Sequence, residues 1–167
     1  MRAHWVEGVT PGRLGICARP RGNDWLDDEL KQAKADGVDV VVSLLEDEEA
    51  KEIGVEDEAG AASRAGVEFW RFPIADRDLP ADEAAAVEFA RKVWARVSAK
   101  GSVVIHCRMG IGRSSVMAAL ALVVGGVPVA RAWQQLSMAR EMVVPDTFEQ
   151  KVWVDRVAKR LEASERR

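Results

Sequence analysis

A cysteine, two glycines, two arginines and two serines lie within ten residues, in the segment HCRMGIGRSS that begins at His106. The apolar run 102–105 predicts a buried strand before them, and the apolar stretch 114–125 predicts a buried helix after them. Gly110 and Gly112 let the connecting loop adopt positive φ, so that successive amides point to one place. The segment therefore predicts a loop that binds a phosphate over the cysteine sulfur.

The cysteine of this loop, Cys107, is predicted to be a nucleophile. A free thiol has a pKa of roughly 8.5, and a helix N-terminus beside an arginine lowers that pKa to roughly 3.5–7.5. Arg113 can bind two phosphate oxygens at once, which a lysine cannot match. The Ser114 hydroxyl can hydrogen-bond the sulfur and ease its departure, and His106 orients the Cys107 backbone rather than acting as a base. The alternative, a structural core cysteine, leaves both glycines and His106 unexplained.

These residues resemble the HCxxGxxRS/T signature of the cysteine-dependent protein tyrosine phosphatase superfamily, which is matched by His106, Cys107, Gly110, Arg113 and Ser114. Where many members carry glycine after the serine or threonine, this chain has Ser115. Within the superfamily the chain is similar to the compact dual-specificity-like phosphatases, especially the kinase-associated phosphatase group, over residues 12–155. The resemblance implies a phosphotyrosine protein phosphatase fold and a phosphocysteine intermediate, with no metal and no cofactor.

A general acid must protonate the leaving oxygen from the other side of the phosphate. The segment FPIADRDLP supplies two carboxylates, Asp76 and Asp78. The phosphatases that this chain resembles carry their acid in a Pro-Ile-x-Asp-x-x-x-Pro segment, which assigns the role to Asp76. Asp78 is the second candidate, with the alternative role of N-cap for a helix that begins near Leu79 and Pro80.

Substrate-binding positions are predicted in two places. In the loop, the side chains or amides expected to face the phosphate are those of His106, Arg108, Met109, Gly110, Ile111 and Gly112. Near the C-terminus, the segment VPDTFEQ resembles the Thr-x-x-Gln of the same group, whose glutamine helps to place the hydrolytic water, and this assigns that role to Gln150. In the alternative interpretation, Gln150 is a polar first-turn residue of the last helix, capped by Asp146 or Thr147.

Length and composition indicate an ordinary globular protein. The chain has 167 residues, 48% of them hydrophobic and 31% charged, and we expect one domain spanning residues 1–167. A formal net charge of −3 favours neither nucleic acid nor an anionic membrane as a partner. No signal sequence or membrane-spanning stretch is recognised, which predicts a cytoplasmic protein without membrane insertion.

The two cysteines, Cys17 and Cys107, exclude a disulfide framework, and with the two histidines they show no metal-ligand spacing. Cys17 is expected to be a small core residue. A regulatory disulfide between the two cysteines is the alternative.

Strands alternate with helices along the chain, which predicts an α/β fold with a central twisted, largely parallel sheet of about five strands and helices on both faces. Ligands of such sheets bind at the carboxyl ends of the strands, where Cys107 and Asp76 both fall. The predicted strands lie near Trp5 and at 14–17, 38–45, 67–72 and 103–106. The predicted helices lie at 24–36, in pieces over 46–64, at 80–99 and in three C-terminal segments.

Several other features are interpreted as structural. The acidic run Glu46-Asp47-Glu48-Glu49 is expected to be a solvated helix start, with a metal site or a docking patch as the alternatives. Arg131 and Arg140 are expected to be solvated, although either can attract phosphate. The six tryptophans of the chain include Trp94, Trp133 and Trp153, which are expected to pack in the core.

The predicted substrate is a phosphorylated protein carrying phosphotyrosine, with phosphoserine and phosphothreonine as further options. The chain contains no tyrosine, whereas large tyrosine-specific phosphatases use a tyrosine-containing loop to wall a deep pocket. Phosphoinositide phosphatases of the superfamily often carry lysines in the loop, where this chain has Arg108, Met109 and Ile111. A phosphoinositide or other small-molecule phosphatase, and a catalytically silent phosphate-binding module, are the alternatives.

Overall fold

A five-stranded mixed sheet forms the centre of the structure, which is a computed structural model that describes residues 1–165. The strands are β1 (His4–Trp5), β2 (Arg13–Cys17), β3 (Val40–Ser43), β4 (Glu68–Arg71) and β5 (Ser102–His106). Their order is β1-β2-β5-β3-β4, with only β1 antiparallel to its neighbour in this sheet. The predicted α/β fold with a largely parallel sheet is confirmed.

Seven α-helices in the described residues cover the two faces of this sheet. They are α1 (Leu26–Ala35), α2 (Asp47–Glu52), α3 (Glu58–Ala65), α4 (Glu83–Ser98), α5 (Arg113–Val124), α6 (Val129–Arg140) and α7 (Phe148–Glu165). The apolar residues of the strands alternate between the two faces. Val40, Val42 and Ile105 pack with α4 to α7, whereas Val41 and Val104 pack with α1 and α3. Among residues 1–165 no helix is both long and apolar enough to cross a bilayer.

Two helix starts were predicted too early. The helix expected at 24–36 begins as a 3₁₀ turn, Asn23–Trp25, and becomes α-helical at Leu26. The helix expected at 80–99 begins at Glu83, because the Asp82 side chain accepts a hydrogen bond from the Ala85 N–H at 3.0 Å and caps the helix there. Asp78 is therefore not the N-cap of this helix.

The two cysteines belong to different faces of the sheet. Cys17 is fully buried in the layer that contains α1 and α3, and Cys107 belongs to the core on the α4 to α7 side. Burial raises the pKa of the Cys17 thiol, which opposes thiolate formation. Both cysteines are free, so the structure supports the interpretation of Cys17 as a core residue.

Candidate active site

The loop between β5 and α5 wraps around the Cys107 sulfur. Gly110 has φ of +69°, and a Cβ on this residue would lie 2.3 Å from the Cys17 carbonyl carbon and 2.5 Å from the Ala18 nitrogen. Only glycine fits there, because both the dihedral angle and the close approach to β2 exclude a side chain. This turn directs the Gly110 N–H to the Cys107 sulfur at 3.3 Å.

The Cys107 thiol is 3% exposed and lies among groups that favour its thiolate form. Burial alone would raise its pKa. Hydrogen bonds from the hydroxyl and N–H of Ser114, the charge of Arg113 and the N–H of Gly110 outweigh burial and hold the pKa of Cys107 below its ordinary value. The Ser114 hydroxyl lies 3.4 Å from the sulfur, in the position predicted for a group that assists the departure of sulfur.

Arg113, the first residue of α5, has both terminal nitrogens fully engaged. Nη1 donates to Glu49 Oε2 at 2.7 Å and to the Ile74 carbonyl at 2.9 Å. Nη2 donates to Glu49 Oε1 at 2.8 Å and to Asp76 Oδ1 at 2.9 Å. Since the guanidinium group is 2% exposed, these contacts fix its plane over the loop. The arginine is thus held in one orientation.

Glu49 corrects the interpretation of the acidic run as solvated. Asp47 and Glu48 do lie exposed in the first turn of α2, but Glu49 is 9% exposed and forms the bidentate pair with Arg113. Burial would raise the pKa of this carboxyl, and the hydrogen bonds and charge of Arg113 lower it below its ordinary value. A run of four acidic residues gives no sign of which one faces inward, so the sequence could not identify Glu49.

Asp76 and Asp78 lie on the loop that follows β4, and the structure separates their environments. The Asp76 carboxylate contacts Arg113 while remaining 59% exposed on the pocket side. The Asp78 carboxylate accepts a hydrogen bond from the Leu79 N–H at 2.7 Å and stabilises the turn. Of these two aspartates, only Asp76 touches Arg113.

His106 is fully buried behind the loop and makes two hydrogen bonds. Its Nδ1 lies 3.1 Å from the Cys107 carbonyl oxygen. Its Nε2 lies 2.8 Å from Oε1 of Glu58, a carboxylate in the first turn of α3 that is 3% exposed. The sequence pattern contained no signal for Glu58.

Arg140, expected to be solvated, instead binds the outer side of the loop between β5 and α5. Its Nε donates to the Gly110 carbonyl at 3.0 Å and its Nη2 donates to the Met109 carbonyl at 3.2 Å. These bonds turn the carbonyls outward, so that the amides on the other side of the peptide planes can face the pocket. Arg131 is exposed and lines a different cavity.

A small pocket of about 60 Å³ lies over the Cys107 sulfur. It is lined by Asp76, Arg77, Cys107, Met109, Ile111, Gly112, Arg113, Asp146 and Gln150. Three predicted binding residues do not line it: His106 is behind the loop, the Gly110 N–H is bonded to the Cys107 sulfur, and the Arg108 guanidinium is turned to Glu52 at 3.4 Å. The Arg108 side chain therefore does not contribute to the pocket wall.

Gln150 lines the pocket and also lies in the first turn of α7. Its amide lines the pocket, and its Oε1 accepts from the Thr147 N–H at 3.1 Å while the Thr147 hydroxyl accepts from the Gln150 N–H at 3.2 Å. This reciprocal pair is a capping box at the start of α7. A third bond, from Nε2 to the Asp78 carbonyl at 3.4 Å, ties the helix to the acid loop. Within residues 1–165, no group of three or more His, Cys, Asp or Glu residues is arranged to hold a metal ion.

The chain matches the family described as "Polymorphic toxin system, DSP-PTPase phosphatase". The match covers residues 15–127, which include Asp76, Cys107 and Arg113, whereas Arg140 and Gln150 lie beyond it. No curated protein matches the sequence.

Solved structures of phosphatases share the whole fold. Kinase associated phosphatase, with its catalytic-site cysteine replaced by serine, has a TM-score of 0.83 and 19% identity, covering 98% of this chain and 97% of that one. Tk-PTP in its active form has a TM-score of 0.75 and 25% identity, covering 95% and 96%. PTPMT1 in complex with PI(5)P has a TM-score of 0.68 and 20% identity, covering 91% and 94%.

Proposed function

The chain belongs to the DSP-PTPase phosphatase family of polymorphic toxin systems, and on that premise we propose that it hydrolyses phosphate monoesters through a phosphocysteine formed at Cys107. The observation that carries this proposal is the pocket that brings together a buried cysteine, a fixed guanidinium and an exposed carboxylate, those of Cys107, Arg113 and Asp76. These are the nucleophile, the phosphate-binding cation and the acid that the reaction needs.

In the first step, the Cys107 thiolate forms a sulfur–phosphorus bond as the phosphorus–oxygen bond to the leaving group breaks. The proton of the Asp76 carboxyl passes to the leaving oxygen. The amides of the loop and the guanidinium of Arg113 bind the equatorial oxygens, where negative charge is concentrated in the transition state. Because the lowered pKa of Cys107 favours the thiolate before substrate binds, no base is needed at this stage.

In the second step, water attacks phosphorus and the Asp76 carboxylate accepts its proton. The sulfur–phosphorus bond breaks and its electron pair returns to Cys107, where the Ser114 hydroxyl stabilises the sulfur anion. Gln150 lines the same pocket and is our candidate for orienting the water. Inorganic phosphate then leaves and the enzyme is restored.

The contact between Asp76 and Arg113 links substrate binding to the acid. A phosphate that binds both Nη2 of Arg113 and the loop amides must displace the Asp76 carboxylate from its 2.9 Å contact. The displaced carboxyl still lines the pocket, where it can reach the leaving oxygen. Substrate binding thus releases the Asp76 carboxyl from Arg113.

Asp76→Asn is expected to lower kcat by about 10²-fold on a phosphotyrosine peptide, and by less on para-nitrophenyl phosphate, whose leaving group departs as an anion. The variant should also bind inorganic phosphate about 2- to 5-fold more tightly, because its competing carboxylate is gone. The measurement is kcat and kcat/KM across pH, with a chelator present throughout. Asp76→Asn should remove the loss of activity at high pH.

Asp78→Asn is the matched control for this experiment, since it makes the same substitution two residues away. It should leave the pH profile unchanged. If Asp78→Asn removes the high-pH loss instead, the acid is misassigned. If the wild type does not turn over any phosphate ester while still binding phosphate, the loop is a phosphate-binding module and the proposed activity is wrong.

We propose a phosphorylated protein as the substrate, on the basis of the surface around the pocket. Seven large apolar side chains are exposed within residues 1–165, and four of them lie on the loop or on segment 142–148, both of which contribute to the pocket. We call these four the apolar rim: Met109, Met142, Val143 and Phe148. Met109 lies on the loop, and the other three lie on the segment that carries Asp146 of the pocket. Exposed apolar surface grouped around a site is typical of protein recognition.

The charges near the pocket also favour a phosphorylated protein over a lipid headgroup that carries several phosphates. Arg77 lies 3.6 Å from Asp146, Arg108 contacts Glu52 at 3.4 Å, and Arg140 is bonded to the loop carbonyls. These arginines already have partners, whereas a second phosphate would need cations free to bind it. A pocket of about 60 Å³ holds little beyond the phosphate, so the flanking peptide must lie on the rim.

Val143→Glu is expected to raise KM about tenfold for a phosphotyrosine peptide with apolar flanking residues, because it removes the burial of one valine side chain. Val143 is 85% exposed and lies outside the catalytic machinery, so kcat/KM for para-nitrophenyl phosphate should not change. Trp25→Glu is the control, since Trp25 is 55% exposed on the 3₁₀ turn before α1 and outside the rim. Equal effects of the two substitutions would contradict a role for the rim.

A phosphoinositide substrate is the second candidate, supported by one observation. A cavity of about 460 Å³ beside the loop is lined by Arg2, Arg19 and Arg21, together with His4 and Glu29. The structural relative PTPMT1 was solved with PI(5)P. Faster hydrolysis of a phosphoinositide than of every phosphopeptide, with loss of that preference in Arg19→Ala, would favour this candidate over a phosphoprotein.

A further inference from the structure

The buried pair of Glu58 and His106 plays no part in the reaction as described above. His106 is 0% and Glu58 is 3% exposed, and they are joined by a hydrogen bond of 2.8 Å between Nε2 and Oε1. The other ring nitrogen, Nδ1, lies 3.1 Å from the carbonyl oxygen of Cys107. Burying a carboxylate this completely costs free energy unless it is paired. The pairing of Glu58 with His106, which precedes the nucleophile, therefore points to a role for the pair.

The hydrogen-bonding capacity of these atoms determines how many protons the pair holds. A carbonyl oxygen can only accept, so Nδ1 of His106 must carry the proton in its bond to Cys107. Nε2 then either donates a second proton to the Glu58 carboxylate or accepts one from a protonated Glu58. In both arrangements, the pair holds one proton more than a neutral imidazole and a carboxylate would hold.

We propose that Glu58 is a positioning residue that keeps His106 in its doubly protonated, cationic form, and that this fixed charge behind the loop stabilises the Cys107 thiolate. The inference rests on the proposed function only in treating Cys107 as the nucleophile. Glu58 touches neither substrate nor sulfur and acts through His106. Glu58 contributes by keeping the positive charge of the His106 ring at a fixed, buried position.

The groups around the pair support this distribution of charge. Burial alone would lower the pKa of His106, but the charge and hydrogen bond of Glu58, the hydrogen bond to the Cys107 carbonyl and the Cys107 charge raise it above its ordinary value. Cys17 lies opposite His106 in the register of β2 and β5, and its raised pKa keeps it neutral. On the α5 side, Arg113 faces Cys107. Glu58 is thus the anion that offsets the charge of His106.

Nitrogen NMR of the wild-type protein tests the charge directly. The chain has two histidines, so the ring signals are readily assigned, and His4 serves as an internal reference because burial and Arg140 lower its pKa. We expect both ring nitrogens of His106 to remain protonated at pH values where His4 has become neutral. An unprotonated Nε2 on His106 at neutral pH would overturn the proposal.

Glu58→Gln tests the consequence for the thiolate. The glutamine amide can donate to Nε2 of a neutral His106, so the hydrogen bonds are kept while the extra proton is lost. We expect the pH midpoint for alkylation of Cys107 by iodoacetate, followed by mass spectrometry, to rise by about one unit. Below that midpoint, a rise of one unit corresponds to about a tenfold lower alkylation rate.

Glu29→Gln is the matched control, because Glu29 is another buried carboxylate that pairs instead with Arg21. An unchanged midpoint in Glu58→Gln, or an equal rise in Glu29→Gln, would contradict the proposal. Alkylation does not require turnover, so a protein without phosphatase activity would refute the proposed function and leave this test intact. If Glu58→Gln does not fold, the NMR measurement on the wild type decides.

Discussion

Cys107→Ser is expected to abolish turnover of every phosphate ester that the wild type hydrolyses, by at least about 10⁴-fold in kcat, because a serine hydroxyl in this loop stays un-ionised and cannot replace the thiolate. The substitution exchanges sulfur for oxygen in a site that is 3% exposed and leaves the loop amides in place. Binding of inorganic phosphate should therefore persist. Steady-state kinetics and calorimetry measure the two effects separately.

The covalent intermediate provides a second readout for this prediction. During turnover by the wild type, acid-quenched protein should carry one phosphoryl group on Cys107, detectable by mass spectrometry of the peptide that contains it. Cys17→Ser is the control, since Cys17 is a core residue on the other face of the sheet. Turnover by Cys107→Ser, or a phosphoryl group on another residue, would refute the phosphocysteine mechanism.

The fold was largely predictable because its signals are local. The valine-rich segments 40–43 and 102–106 are buried on both faces and read as continuous apolar runs, which is the pattern of parallel strands. The phosphate loop was predictable for a similar reason, since Cys107, Gly110 and Arg113 are close in sequence. The boundaries were less accurate where a side-chain cap decided them, as Asp82 did for α4.

The residues that support the loop were missed because they come from distant parts of the chain. Glu49 is 64 residues from Arg113, Glu58 is 48 residues from His106, and Arg140 is 30 residues from Gly110. Each looks like an ordinary charged residue of a helix when read in sequence. Their roles depend on the tertiary packing of α2, α3 and α6 against the loop, which periodicity does not reveal.

Arg113→Lys is expected to lower kcat/KM by about 10³-fold, even though the positive charge is kept. A lysine ammonium cannot make the planar set of bonds that joins Arg113 to Glu49, Ile74 and Asp76. It also cannot bind two phosphate oxygens in a fixed plane. Kinetics on para-nitrophenyl phosphate measure this loss, and Arg96→Lys is a control for the same substitution on the outer part of α4.

Glu49→Gln separates the positioning of Arg113 from its charge. We expect kcat/KM to fall about tenfold, and the double variant with Arg113→Lys to fall no further than Arg113→Lys alone, because Glu49 acts only through the arginine. Independent losses in the double variant would show that Glu49 has a separate role.

The pair of Glu49 and Arg113 should also make folding sensitive to acid. Because Arg113 lowers the pKa of Glu49 in the folded state, the stability from this pair is fully present above the ordinary glutamate pKa and is lost as the pH falls toward the lower folded value. Urea unfolding at neutral and at acidic pH should therefore show a smaller difference between the wild type and Glu49→Gln in acid than at neutral pH.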